Sequence, residues 1–241
     1  MDRVDMAQAV GIICGFVESQ RPAQVLTFGA EMAMLAAADV EYRAVINGAD
    51  LVVPDTVGIV VASRMLGAAL PQRVPGIELA ERLCEHCARN GWPAYFYGGA
   101  QGVAQEAAAN LARRHPGLII AGTQHGFHSP AQAARIPLAM QRSGARLVFV
   151  ALGFPLQDLW IRDHLDSVGP ATCIGVGGTF DVLAGRSRRA PAAVRKAGLE
   201  WLYRLAREPR RLRRQLVLPR FAMKVAWEAV RRRLGTRSAR S

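Results

Sequence analysis

No apolar run in these 241 residues reaches the ~18–20 positions that a membrane-spanning helix needs, so a helical span is not expected. The opening MDRVDMAQAVGIICGF carries acids where a signal peptide would carry bases, and it has no small-residue cleavage site. There are only four cysteines, and without an exported context they read as reduced thiols in a cytoplasm. Charged residues make up 21% of the chain against 51% apolar ones, which excludes disorder as its general state. No Asp-X-Asp pair offers a clamp for a metal–diphosphate complex. Cys84 and Cys87 have redox or metal spacing, but they fall inside a helical pattern with no second ligand pair. His125 and His128 alone do not make a metal site. No metal and no cofactor are expected.

Acid is also scarce in one place. Residues 1–185 hold 13 Lys+Arg and 16 Asp+Glu, a net charge of −3. Residues 186–241 hold 18 Lys+Arg and only Glu200, Glu208 and Glu228, a net of +15. Such a segment seeks polyanions: nucleic acid, an anionic membrane face or substrate phosphates. It is too apolar for a mere solvated tail, since it contains Leu199, Trp201, Leu202, Leu205, Phe221, Met223 and Trp227.

Before residue 186, short β-branched runs alternate with Ala-rich helical stretches. Strands are expected at Gln24–Phe28, Leu51–Val53, Ala94–Tyr97, Leu118–Ala121, Arg146–Ala151 and Cys173–Val176. Helices are expected at Ala30–Ala38, Gly58–Leu66, Ile77–Asn90, Val103–Arg114, Pro130–Ser143 and Leu156–Val168. This alternation predicts an α/β, Rossmann-like, mostly parallel sheet with helices on both faces. Runs such as LVFVAL suit strands buried on both faces. From Arg186 the pattern predicts a helical appendage, with one helix over Val194–Arg207 and another after Pro219. The second would set Met223, Trp227, Val230 and Leu234 against Arg220, Lys224 and Arg231. That arrangement fits a helix lying on a membrane surface, and equally one docked on the core. The chain thus divides into a core, 1–185, and a basic appendage, 186–241.

In open α/β sheets, ligands bind beyond the carboxyl ends of the strands. Thr27, Asp55 and Gln157 fall there. Asp55, in VVPDTVG, could take a proton from a hydroxyl as a general base or cap the following helix; from the residues alone the cap is the commoner role. Gly98 and Gly99, in YGGAQG, and Gly177 and Gly178, in GVGGTFD, form glycine turns that could approach a nucleotide closely. The first lacks full dinucleotide spacing and the Lys of a P-loop.

These segments together resemble the WecG/TagA/CpsF family of bacterial glycosyltransferases, which includes N-acetylmannosaminyltransferases. The matching stretches are VLTFGAE, NGADLVVPDTVGIVVASRMLG, RVPGIEL, YFYGGAQG, QHGF, LVFVALGFPLQDLWI and VGGTFDVLAGRSRRAPAAVRKAGLEWLYRLAREPRRL. They run in the family's order over about residues 24–214. The resemblance implies inverting, metal-independent transfer of a sugar, N-acetylmannosamine-like or another hexose, from a UDP-sugar to a sugar on a polyprenyl diphosphate. It implies a place in cell-surface polysaccharide synthesis, on the cytoplasmic side of the membrane as a peripheral protein. By position it makes Asp55 the general base, and Thr27, Arg73 and Gln157 partners of the substrates. It assigns Arg204, Arg211 and Arg214 to an appendage that closes over the site and binds diphosphate. Guanidinium groups suit a leaving nucleoside diphosphate when no Mg²⁺ is present.

Two departures touch the expected pocket: Gly29 where the family usually has Asn, and Thr56 where it usually has Gly. Smaller ones are Pro75 for a common Thr, and Phe154 and Asp158 in GFPLQD. Two other readings compete. A nucleic-acid-binding protein would want stacking platforms or a groove-reading motif, and neither is present. A non-catalytic membrane scaffold of the same fold would be expected to have lost Asp55. Oligomeric state, including a homo-oligomer, is left open by the sequence.

Overall fold

The computed structural model describes residues 1–196, 198, 200–207 and 216–238. Six strands, β1 (Ala23–Phe28), β2 (Leu51–Pro54), β3 (Ala94–Gly98), β4 (Ile120–Gln124), β5 (Leu147–Ala151) and β6 (Thr172–Gly175), form one sheet. Its order is β2-β1-β6-β5-β3-β4 and every pairing is parallel. The expected Rossmann-like α/β class is what the chain adopts.

Alternation along the strands explains why both faces carry helices. Val25, Val53, Phe96, Phe149 and Ile174 point to one side. There they meet α1 (Met6–Glu18), α5 (Gly76–Asn90), α6 (Val103–Arg114) and α10 (Thr179–Leu183). Leu26 and Val52 point to the other, against α2 (Ala30–Ala38) and α3 (Val40–Gly48). Tyr97, Val148 and Val150 do the same against α8 (Ile136–Arg142) and α9 (Leu156–His164). Each such side chain contributes ~1.5–3 kcal/mol when fully buried. Cys84 and Cys87 lie within the first layer, and burial pushes the Cys87 thiol up to about 12, so both behave as core residues.

Several expected boundaries shift. The fourth strand runs Ile120–Gln124 instead of Leu118–Ala121, because its register against β3 slips between Ala94 and Tyr95 and pairing continues into the polar Thr123-Gln124. The stretch 130–143 divides into α7 (Pro130–Ala133) and α8, where Pro137 suits a fresh first turn. Residues 156–168 form α9 and a 3-10 turn at Leu165–Val168.

In the appendage, Gly198 at φ +74° separates α11 (Ala192–Lys196) from α12 (Glu200–Arg207), where one helix over 194–207 was expected. The last helix, α13 (Val217–Ser238), starts two residues before Pro219 and packs on α2 and on α4 (Val57–Met65). Among its described side chains Val225 and Ala229 are buried, while Met223, Trp227 and Val230 are exposed. Docking and an outward apolar stripe therefore coexist on different faces of one helix. No helix among the described residues is long and apolar enough to cross a membrane.

Candidate active site

Chain direction locates the crevice. After β1 the chain turns to α2 on one face of the sheet, and after the adjacent β6 it turns to α10 on the opposite face. The strand ends of β1 and β6 thus border the gap that a topological switch leaves open. Thr27, in β1, donates its hydroxyl to the Gly175 carbonyl at 2.8 Å and spans this boundary. Asp55 follows β2, and its N–H donates to the Phe28 carbonyl at 2.9 Å. Its Oδ1 accepts from the Gly76 N–H, the first of α5, at 2.8 Å.

Asp55 therefore does not cap the helix that follows it in sequence; Thr56 holds that position, with no side-chain bond to α4. The carboxylate instead meets the start of α5. Gly76 allows this approach, since a Cβ there would lie 3.3 Å from Thr27 Cγ2. Thr27, Asp55 and the α5 N-terminus are one constellation. It can hold a carboxylate in fixed orientation beside an open crevice, as abstraction of a hydroxyl proton requires.

Gln157, in the first turn of α9, is 4% exposed, and its Oε1 accepts from the Gly177 N–H at 2.8 Å. Gly177 has φ +52°, which favours glycine. The Gly98–Gly99 turn packs so tightly on the end of β5 that a Cβ at Gly98 would lie 2.4 Å from the Ala151 carbonyl carbon. Those glycines have a packing reason of their own. Beside them runs the loop whose Gly126 N–H bonds the Gly99 carbonyl at 2.8 Å, with Phe127 exposed at its tip. The His125 and His128 rings stack at 4.0 Å and line a cavity of about 350 Å³. Arg186 pairs with Glu106 at 2.8 Å, close above Gly102 at the start of α6.

Arg73 reaches toward the appendage and meets Glu200 at 3.5 Å. Arg189 bonds Glu78, in the first turn of α5, and Arg195 meets the same carboxylate at 3.3 Å. Gly198, between α11 and α12, sits against Val57 next to Thr56. The appendage is thus fastened beside Asp55. Of its expected arginines, Arg211 and Arg214 and the side chain of Arg204 lie outside the described residues. Among the described residues, no group of three His, Cys, Asp or Glu could hold a metal ion.

Residues 1–235 match the Glycosyl transferase WecG/TagA/CpsF family. The chain belongs to that family. It is similar to the N-acetylglucosaminyldiphosphoundecaprenol N-acetyl-beta-D-mannosaminyltransferase of Bacillus spizizenii (strain ATCC 23059 / NRRL B-14472 / W23), with 32% identity over 210 residues. That alignment covers 87% of this chain and 81% of the relative. This WecG/TagA/CpsF protein is a glycosyltransferase.

In this glycosyltransferase the two departures near the pocket face each other. A Cβ at Gly29 would lie 3.5 Å from Thr56 Cγ2. Any longer side chain at 29 must share that space with the Thr56 methyl group. The Thr56 hydroxyl is buried and finds no hydrogen-bond partner among the described residues. Gly29→Asn alone is expected to lower kcat/KM about tenfold, and adding Thr56→Gly to recover most of that loss, as coupled neighbours do. Additive effects across the double-mutant cycle would show that the positions are independent.

Four further residues, Asp158, Tyr42, Gln24 and Glu200, are not singled out as site candidates in the sequence. Asp158 was noted only as a departure. It is fully buried, and desolvation raises its carboxyl to about 6 even though bonds from Tyr42 and Gln157 oppose the shift. The native chain therefore keeps a proton that the unfolded chain releases near pH 4. Stability from this group is full below that pH and falls as pH rises toward 6, by ~2–3 kcal/mol. In urea unfolding from pH 4 to 7, wild type is expected to lose that much relative to Asp158→Asn. Parallel pH profiles would contradict the assignment.

Proposed function

We propose that this glycosyltransferase transfers a sugar from a UDP-sugar to a sugar carried on a polyprenyl diphosphate, with inversion at the anomeric carbon. The carrying observation is Asp55, held by the Gly76 N–H beside Thr27 at the mouth of the β1/β6 crevice. Asp55 takes the proton of the acceptor hydroxyl as its oxygen bonds the anomeric carbon. The bond from that carbon to the diphosphate breaks, and UDP leaves with the electron pair. The name of the Bacillus relative supplies the acceptor class and suggests N-acetylmannosamine as the sugar moved. The turn at Gly177–Gly178 would present side-chain-free backbone to a nucleotide, and Phe127, His125 and His128 offer flat rings near the turn at Gly98–Gly99. Arg73, with Arg204, Arg211 and Arg214 from the appendage, would balance the charge that develops on the diphosphate.

The same reading makes the protein peripheral on the cytoplasmic membrane face, where its acceptor lies. It is supported by the outward Met223, Trp227 and Val230 of α13 beside Arg220, Lys224 and Arg231. A screen of UDP-sugars against a short-chain polyprenyl-diphosphate N-acetylglucosamine, reading UDP release and product mass, tests the assignment. No turnover with any donor would favour a non-catalytic scaffold. Activity is also expected to survive EDTA, because arginines take the place of a divalent ion. Complete inhibition rescued by Mg²⁺ or Mn²⁺ would refute that part.

A further inference from the structure

Beneath the crevice lies a chain of buried polar side chains that join distant parts of the sequence. Tyr42, 1% exposed in α3, donates its hydroxyl to Asp158 Oδ2 at 2.7 Å. Gln24, in β1, donates its side-chain amide to the Asp158 carbonyl at 2.8 Å. The neighbouring Gln157 points its Oε1 at the Gly177 N–H, so its Nε2 faces the other way. A Cβ at Gly175 would lie 2.7 Å from that Nε2 and 2.9 Å from Asp158 Oδ1, which places both side chains together over the Gly175 backbone. Asp158 Oδ1 lies against the Gln157 amide but has no well-aligned partner among the described residues.

An amide side chain has two nearly identical orientations, and its neighbours choose between them. Here an acceptor-only carboxylate oxygen favours the orientation that turns Nε2 inward and Oε1 toward Gly177. Thr27 fixes the same segment from the other side through the Gly175 carbonyl. Between Val176 and Thr179 that segment carries no side chains, so a ligand in the crevice meets bare backbone.

We propose that Tyr42 and Asp158 are positioning residues which, through Gln157, hold the Gly175–Gly178 backbone in the form that receives the nucleoside diphosphate of the donor. This rests on the donor assignment above. Neither residue need touch the substrate.

Tyr42→Phe removes one hydroxyl and leaves the ring in place. Without that donor, Asp158 is more readily protonated, and a protonated carboxyl can donate to Gln157 Oε1 and turn the amide round. Gly177 then loses its acceptor. Amide exchange at Gly177 is expected to quicken about tenfold, the scale of one net hydrogen bond. Calorimetry with UDP should show Kd raised by about the same factor, and the donor KM should follow while kcat stays within about threefold. A purely structural role would lower Tm and leave UDP affinity unchanged. A folded Tyr42→Phe protein that binds UDP within twofold of wild type overturns the proposal. If that variant fails to fold, Gln157→Met removes the acceptor directly, and the same two readouts decide. A wild-type chain that binds no UDP would refute the donor assignment itself. The positioning claim would then stand or fall on Gly177 exchange in the variants.

Discussion

Asp55→Asn is expected to abolish transfer while the protein stays folded and still binds nucleotide. The substituted amide keeps an oxygen for the Gly76 N–H, so the start of α5 keeps its partner. It cannot take the acceptor proton, and loss of a general base costs ~10²–10⁴ in rate. Asp55→Ala removes both functions and separates them. If the contact with α5 were the residue's main role, Ala would unfold or markedly destabilise the chain and Asn would leave activity near normal. An Asn variant that keeps more than half of wild-type kcat would remove Asp55 from the base role.

The second large effect concerns the appendage. A chain ending at Gly185 retains all six strands and α1–α10, and it is expected to fold. It loses the cover that α13 gives α2 and α4, where Val225 and Ala229 are buried and the Arg232 guanidinium donates to the Leu66 carbonyl at 3.2 Å. It also loses Glu200, the partner of Arg73, and the contact of Gly198 with Val57. Binding to anionic vesicles should disappear, since each basic residue near such a surface contributes about 1 kcal/mol. Nearly all activity should go too, even on a short, water-soluble acceptor. Arg214→Ala in the full chain should keep vesicle binding and lower kcat, because only the proposed diphosphate contact is touched. A truncated chain fully active on the soluble acceptor would reduce the appendage to an anchor.

The sheet was legible in the sequence because its central strands are buried on both faces. LVFVA in β5 can hardly be anything else once Gly144 and Gly153 bound it. The helices α2 and α6 fall where their Ala-rich composition places them, over Ala30–Ala38 and Val103–Arg114. The half-buried β4 is displaced because the apolar Leu118-Ile119 only leads into it: Ile119 gives its carbonyl to the Ala94 N–H, and the regular pairing begins at Ile120. The first helix is not among the helices expected from the sequence, although Asp5 and Gln8 form a capping box at its start.

The site was legible in part. Strand-end logic brought out Thr27, Asp55 and Gln157, and the structure sets all three at the same end of the sheet. Their partners were not legible. Asp55 bonds Gly76 twenty-one residues later, and Tyr42 bonds Asp158 across 116 residues. No periodicity encodes such pairs.

On the proposed mechanism, transfer is a single displacement assisted by one base, Asp55. The anomeric configuration of the product tests it most directly. With a UDP-sugar of known configuration and a short-chain polyprenyl-diphosphate N-acetylglucosamine, the one-bond carbon–proton coupling at the new anomeric centre reports the outcome. Inversion in the wild-type product, with no product from Asp55→Asn, is the predicted result. Retention would require a second displacement through a covalent intermediate or an ion pair, and it would contradict the assignment of Asp55 as the base.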